Sequence, residues 1–388
     1  MKILQRYVLR ELMSPLVIGL LVFTFILLVN KLFRLTDLLV SQGVSFWLVG
    51  QLLLCLLPTL LTLTIPMSVL VAVLIGFGRL TVDNEILAMR TGGVNLMRLF
   101  TPVIGAACII SAGMIAANYS LMPNLLYKGS DLFYRIEFQV LTALEPGRFY
   151  DDLGGGDVDL TLYYRERDPK TGEMLGVNMR VVGGLERLTD QQGEEGNTQE
   201  GKGEGETVIF ASRGRVEAYP EQKAVWIRLF NGSLHPISRH RTTQNIVLFF
   251  SELNRTLRPK IGRIKGGVYV KSPKEMTIAE LRRALVQPDI EKEERYRILN
   301  QLAQRYSIPL ACVAFALIGM PLAIYIRPSG KSVGFGVSFG LLFIYYLMLK
   351  WGTSLGEAGY RLATLAIFSP NMLLGAVGCA LIWRSMKK

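Results

Sequence analysis

The chain has 388 residues, half of them apolar, and a formal net charge of +12. The apolar residues are gathered into long uncharged blocks, which excludes an ordinary soluble protein, where they would be spread evenly through two or three domains. Fifteen basic and five acidic residues lie outside segment 128–305, against 28 and 26 within it. The basicity therefore accompanies the apolar blocks and gives no reason to expect nucleic-acid binding.

No charge interrupts the stretches Glu11–Lys31, Asp37–Arg79, Arg98–Lys128, Arg305–Arg327, Lys331–Lys350 and Arg361–Arg384. A hydrocarbon core of about 30 Å takes roughly 20 helical residues to cross, so six transmembrane helices are predicted. The fifth block is the shortest and spans if Lys350 snorkels to the interface. The first follows a charged segment and has no small-residue cleavage motif near its end, so it reads as a permanent helix. Six crossings place both termini on one side. Lys2, Arg6, Arg10, Arg79, Arg90, Arg98, Arg327, Lys331, Arg384, Lys387 and Lys388 fall on that side, against Lys31, Arg34, Lys350 and Arg361 opposite. Both termini are thus expected in the cytoplasm, with 128–305 outside.

The second block is too long for one crossing; Ser41-Gln42-Gly43 signals a turn, and a helix is expected from about Trp47, with Pro58 and Pro66 as kinks. After the third helix the pattern changes to period two. Strands are expected at 158–164, 177–182, 207–211, 216–219, 224–229 and 246–250, with turns at Asp168–Gly172, Pro220–Lys223 and Asn231-Gly232. Such spacing predicts an all-β sandwich or jelly roll over 128–270, with a polar, disordered loop near 189–206. A helical connector over 271–304 follows, in which Thr277 and Glu280 form a capping box and Pro288 ends the first helix. The domain order is therefore 1–127 (helices 1–3), the β domain, the connector and 305–388 (helices 4–6). The fold class is a polytopic α-helical membrane protein with an inserted, jelly-roll-like β domain.

Few motifs carry chemistry. Ser329-Gly330-Lys331-Ser332 mimics the end of a phosphate-binding loop, but Tyr325 stands where the leading glycine is needed and no strand precedes it. Gly154-Gly155-Gly156 reads as a loop. Cys55, Cys108, Cys312 and Cys379 all fall in apolar blocks as packing residues, His235 and His240 read as surface histidines, and no spacing suggests a metal. Gly336 and Gly340 have a G-x-x-x-G spacing that permits close helix packing.

Two groups are more informative. In the second cytoplasmic loop, Asp83 can cap a short helix whose first turn holds Glu85 and whose end is marked by Gly92-Gly93; Ile86, Met89 and Val82 would form an apolar stripe. That stripe fits either an interfacial helix or a coupling helix inserted into a cytoplasmic partner. On the outer side, Lys31, Arg34, Lys128, Arg135 and Arg305 lie at a similar depth. They fit either snorkelling to lipid head groups or a cavity for an anionic lipid.

The chain resembles the lipopolysaccharide-export permease family LptF/LptG, also called YjgP/YjgQ. The resemblance rests on Arg-Tyr-Val-Leu-Arg-Glu (6–11), Glu85-Ile86-Leu87-Ala88-Met89-Arg90 followed by Gly92-Gly93, Gln304-Arg305-Tyr306-Ser307-Ile308-Pro309-Leu310, Gly319-Met320-Pro321-Leu322 and Ser369-Pro370-Asn371. It implies an inner-membrane permease subunit, without ATPase motifs of its own and with no directly bound cofactor. The implied partners are a paralogous permease subunit in a heterodimer, a cytoplasmic ATPase dimer that uses ATP, and a periplasmic jelly-roll bridge that receives lipopolysaccharide. It further implies an ATPase-coupling segment comprising Asp83, Glu85, Ile86, Met89, Arg90, Gly92 and Gly93, and lipid-phosphate contacts among Lys31, Arg34, Lys128, Arg135 and Arg305. Two other readings compete. One is a non-transporting envelope protein whose outer domain binds a partner; the other is an ABC permease of the macrolide or lipoprotein type, against which the three-and-three split argues.

Overall fold

The computed structural model describes residues 2–42, 45–142, 144–150, 159–182, 206–219, 224–237, 247–257, 263–265, 268–287, 290–326, 331–357 and 363–387. Outside these lie Gly154–Gly156, nearly all of the expected loop 189–206, the turn at 220–223, His240, Pro288, Arg327 and Arg361.

In chain order the helices are α1 (Lys2–Gln42), α2 (Phe46–Val82), α3 (Glu85–Thr91), α4 (Leu96–Tyr119) and α5 (Leu121–Thr142). The strands follow: β1 (Phe149–Tyr150), β2 (Asp159–Arg167), β3 (Met174–Val182), β4 (Glu206–Tyr219), β5 (Ala224–Ile237), β6 (Leu248–Leu257), β7 (Arg263–Lys265) and β8 (Val268–Val270). Then come α6 (Ile278–Val286), α7 (Lys292–Ile326), α8 (Lys331–Glu357) and α9 (Ala363–Lys387). Among the described residues, six helices are long and apolar enough to cross a membrane: α1, α2, α4, α7, α8 and α9. They coincide with the six uncharged blocks, three on each side of the β insertion.

The chain divides into two compact units. One comprises 1–36, 53–128 and 273–388; the other comprises 37–52 and 129–272. In the first, α7 packs against α4, α8 and α9. Its core includes Phe77, Phe100, Phe315, Tyr345 and Ile367, and Phe315 and Tyr345 meet edge to face with centroids 4.8 Å apart. Prolines inside these helices remove amide donors, and neighbours satisfy the freed carbonyls. Pro309 leaves the Arg305 carbonyl without its helical donor, and Asn118 Nδ2 of α4 approaches it at 3.4 Å. Pro370 does the same to Ala366, whose carbonyl accepts from Ser369 Oγ at 2.7 Å.

Close packing between these helices uses glycines other than the G-x-x-x-G pair. A Cβ on Gly378 would lie 2.7 Å from the Leu317 backbone, and one on Gly352 would lie 2.7 Å from the Ala366 carbonyl oxygen. Among the described residues nothing lies within 4 Å of a Cβ built on Gly336 or Gly340, so no helix of this chain uses the close approach their spacing permits there.

In the second unit, β1 to β6 form one antiparallel sheet in sequence order, and β7 and β8 pair separately. Among the described strands none crosses between two sheets, so the jelly-roll description rests on the family resemblance alone. The β2–β3 turn is locked by Asp168, whose carboxylate accepts from the Lys170 amide at 2.9 Å and the Thr171 hydroxyl at 2.8 Å. Those bonds hold its pKa below the ordinary carboxylate range.

The buried face of the sheet changes parity along a line across three strands. In β3 it runs Met174, then Val177, Met179 and Val181; in β4, Ile209 and Ala211, then Gly214; in β5, Ile227 and Leu229, then Leu234. The registers align Gly176, Ser212 and Asn231 at the break. Gly176 has φ +64° and Asn231 φ +50°, the left-handed region that Gly and Asn tolerate best. Ser212 Oγ donates to the Asn231 carbonyl at 2.9 Å. Asn231-Gly232 is therefore not the turn expected between strands. β5 runs straight through it, just as β4 runs unbroken through the gap between the two strands expected at 207–211 and 216–219.

Candidate coupling corner and outer cations

At one end of the first unit, α2 leads into α3 through Asp83 and Asn84, and α3 leads into α4 through Gly92–Asn95. Asp83 was expected to cap α3, but that position belongs to Asn84, with φ +58° and no side-chain cap bond. The carboxylate of Asp83 turns back instead towards Arg79 Nε, 3.6 Å away. The far end of α3 closes as a Schellman motif: the Gly93 amide donates to Arg90 and the Val94 amide to Met89, both at 2.9 Å, with Gly93 at φ +80°. Asn95 then caps α4, its side-chain oxygen accepting from the Met97 amide at 2.9 Å. Two short joints thus hold a helix of seven residues between two long ones.

The expected apolar stripe divides. Ile86 is only 3% exposed and Met89 packs against the same core, so both anchor α3 to its own chain. Leu87, Ala88, Arg90 and Thr91 of α3 are exposed, as is Val82 at the end of α2. Ile86 and Met89 thus fix one side of the helix against the bundle and leave the other side open.

Glu85, the first residue of α3, is tied to α1. Tyr7 Oη donates to its carboxylate, 2.9 Å from Oε2 and 3.1 Å from Oε1. One turn further along α1, Glu11 Oε1 accepts from Arg79 Nη1 at 2.6 Å. Neither Tyr7 nor Glu11 was singled out from the sequence. The available signal was their i, i+4 spacing, which puts both on one face of α1.

The cations expected on the outer side occupy different settings. Lys31 and Lys128 are exposed. Arg135, in the second unit, is exposed with its Nε 3.3 Å from Asp131. Arg34 lies within α1, but its side chain falls outside the described residues. Arg305 is only 6% exposed, and its Nη2 donates to the carbonyls of Pro273 at 3.3 Å and Lys274 at 3.0 Å. Its guanidinium is turned to the chain entering α6, whose start is fixed by the Thr277–Glu280 capping box.

Three candidate spans on each side of a β insertion, with a short helix set into one end of the bundle, are the arrangement of a polytopic membrane permease subunit. The sequence matches the family model described as "Lipopolysaccharide export system permease LptF/LptG" over residues 6–384, and the chain belongs to that family. No curated protein matches it. It is accordingly a multi-pass inner-membrane permease of the lipopolysaccharide-export ABC system, with ATP hydrolysis carried out by a separate subunit.

Proposed function

We propose that this subunit pairs with a paralogous permease and forms half of an outward-opening cavity for lipopolysaccharide. Six helices are too few to enclose a large lipid alone. In this reading both termini and α3 face the cytoplasm, and the β domain passes lipid to a periplasmic bridge protein. The Tyr7–Glu85 bond supports it by putting the start of α1 and the α2–α4 joint at one end of the bundle, as the charge count requires.

The ATPase dimer engages the exposed face of α3, with Glu85 as the charged contact and Leu87, together with Val82 at the end of α2, as the apolar ones. Asp83, Arg90, Gly92 and Gly93 shape that surface, while Ile86 and Met89 hold it in place. Lys31, Arg34, Lys128 and Arg135 meet lipid phosphates, and Arg305 holds the connector rather than the lipid. The observation that carries the energy-coupling part is the placement of Glu85 beside an exposed, anchored helix face. The test is Glu85→Lys in the purified complex. ATP-driven lipid release should be lost while the β domain stays folded; normal release would overturn the assignment.

A further inference from the structure

The first turns of α1 are tied to the α2–α3 corner by two polar rungs that the coupling role of Glu85 does not itself require. Tyr7 and Glu11 lie four residues apart on one helical face. Tyr7 reaches across to Glu85 on α3, and Glu11 reaches Arg79 in the last turn of α2. Arg79 in turn lies 3.6 Å from Asp83 at the joint between the two helices. Beneath these rungs, Val8 and Leu12 are buried, and Leu12 fills the space over Gly76 that any side chain there would need.

Exposed polar pairs add little to stability, so what the array supplies is geometry. A glutamate on a short helix whose N-cap has no side-chain bond samples several rotamers. A tyrosine, planar with two side-chain torsions, holds that carboxylate in one direction from a neighbouring helix. The carboxylate keeps acceptor capacity for an incoming cation, because it has about four lone-pair sites and one hydroxyl proton occupies only part of them. The same bond links α3 to α1. That helix carries an exposed apolar face of Val17, Ile18, Leu21, Val22, Phe25 and Ile26 along the membrane span.

We propose that Tyr7 is a positioning residue that orients Glu85 for the ATPase and links α3 to α1, while Glu11 fixes α1 against the end of α2. The inference rests on the reading of Glu85 as the coupling carboxylate.

The test uses the complete complex with its permease partner and ATPase subunits, reconstituted with lipopolysaccharide. ATP hydrolysis, lipid release and retention of the ATPase are compared for Tyr7→Phe, Tyr7→Ala, Glu85→Ala and the Tyr7→Phe/Glu85→Ala double variant. Tyr7→Phe should lower kcat and lipid release roughly three- to tenfold, the net scale of one lost hydrogen bond at an exposed site, with KM for ATP unchanged. Tyr7→Ala should do no worse than Tyr7→Phe, and Tyr7→Phe should have no further effect once Glu85 is Ala.

A normal Tyr7→Phe variant beside an impaired Tyr7→Ala one means that only the ring's packing counts, and overturns the inference. So does a Tyr7→Phe loss that adds in full to that of Glu85→Ala; in both cases the coupling role of Glu85 survives. A normal Glu85→Ala variant removes the coupling reading itself and the inference with it.

Discussion

Asn371 Nδ2 lies 2.7 Å from the carbonyl oxygen of Ser307 and 2.9 Å from its hydroxyl oxygen, so one amide group ties α9 to α7. The Ser307 hydroxyl donates back to the Ile367 carbonyl at 2.8 Å, closing a small network in which Ser307 and Ile367 are fully buried and Asn371 half-buried. Inside a bilayer no water competes for these groups, and interhelical bonds of this kind are worth about 0.6–2 kcal/mol each.

Asn371→Leu should therefore lower the thermal midpoint of the detergent-purified complex by several degrees, as about 1–3 kcal/mol would. Ser307→Ala should lower it less, and the double variant should cost less than the sum, because the two residues share bonds. A midpoint unchanged by Asn371→Leu would show that the network adds nothing to stability.

The glycines give a sharper contrast. Gly378 and Gly352 meet backbone atoms of α7 and α9, which cannot move aside as a flexible side chain can. Gly378→Leu or Gly352→Val should force the helices apart and cost about 1–3 kcal/mol or more, the range of overpacking. Gly336→Ala and Gly340→Ala should leave the chain's own stability unchanged, since open space surrounds both. Differential scanning fluorimetry of the four variants checks this, and a loss at Gly336 equal to that at Gly378 would contradict it.

The six spans were legible because hydropathy and length decide a membrane helix almost alone; the capping box at Thr277 was legible because its chemistry is local. Turn chemistry misled where neighbouring strands overrode it. Asn231-Gly232 signals a hairpin, but Gly176 and Ser212 lie beside Asn231 in the sheet and share a single break in the pleat. The stripe on α3 could be counted from sequence, but not which way it faces, since that is decided by the packing of Ile86 and Met89 into the helical core. For the same reason the hydrogen bond from Tyr7 to Glu85, 78 residues apart, had no local signature.

The break in the sheet makes its own prediction. A Cβ on Gly232 would collide with the Phe210 carbonyl and the Phe250 ring. Gly232→Ala should destabilise the β domain, whereas Asn231→Gly, which keeps the left-handed backbone, should be tolerated. Asn231→Val should cost about 1–2 kcal/mol, the penalty of holding a β-branched residue at positive φ. Hydrogen exchange across β4 and β5 would register the difference; equal protection in all three variants would refute it.

Arg305 is a buried cation, unlike the exposed Lys31 and Lys128. Its Nη2 is committed to the Pro273 and Lys274 carbonyls, and the side chain is buried. Replacing it with Met removes the donor and leaves those carbonyls without it, a loss of about 1–3 kcal/mol for bonds to a charged group. The effect should be local: faster hydrogen exchange and earlier proteolysis over 273–286. Crosslinking to lipopolysaccharide should fall far less than in a Lys31→Glu/Lys128→Glu variant, whose side chains are exposed and whose reversed charge repels phosphate. If Arg305→Met abolished crosslinking while the connector stayed protected, the guanidinium would belong to the lipid site after all.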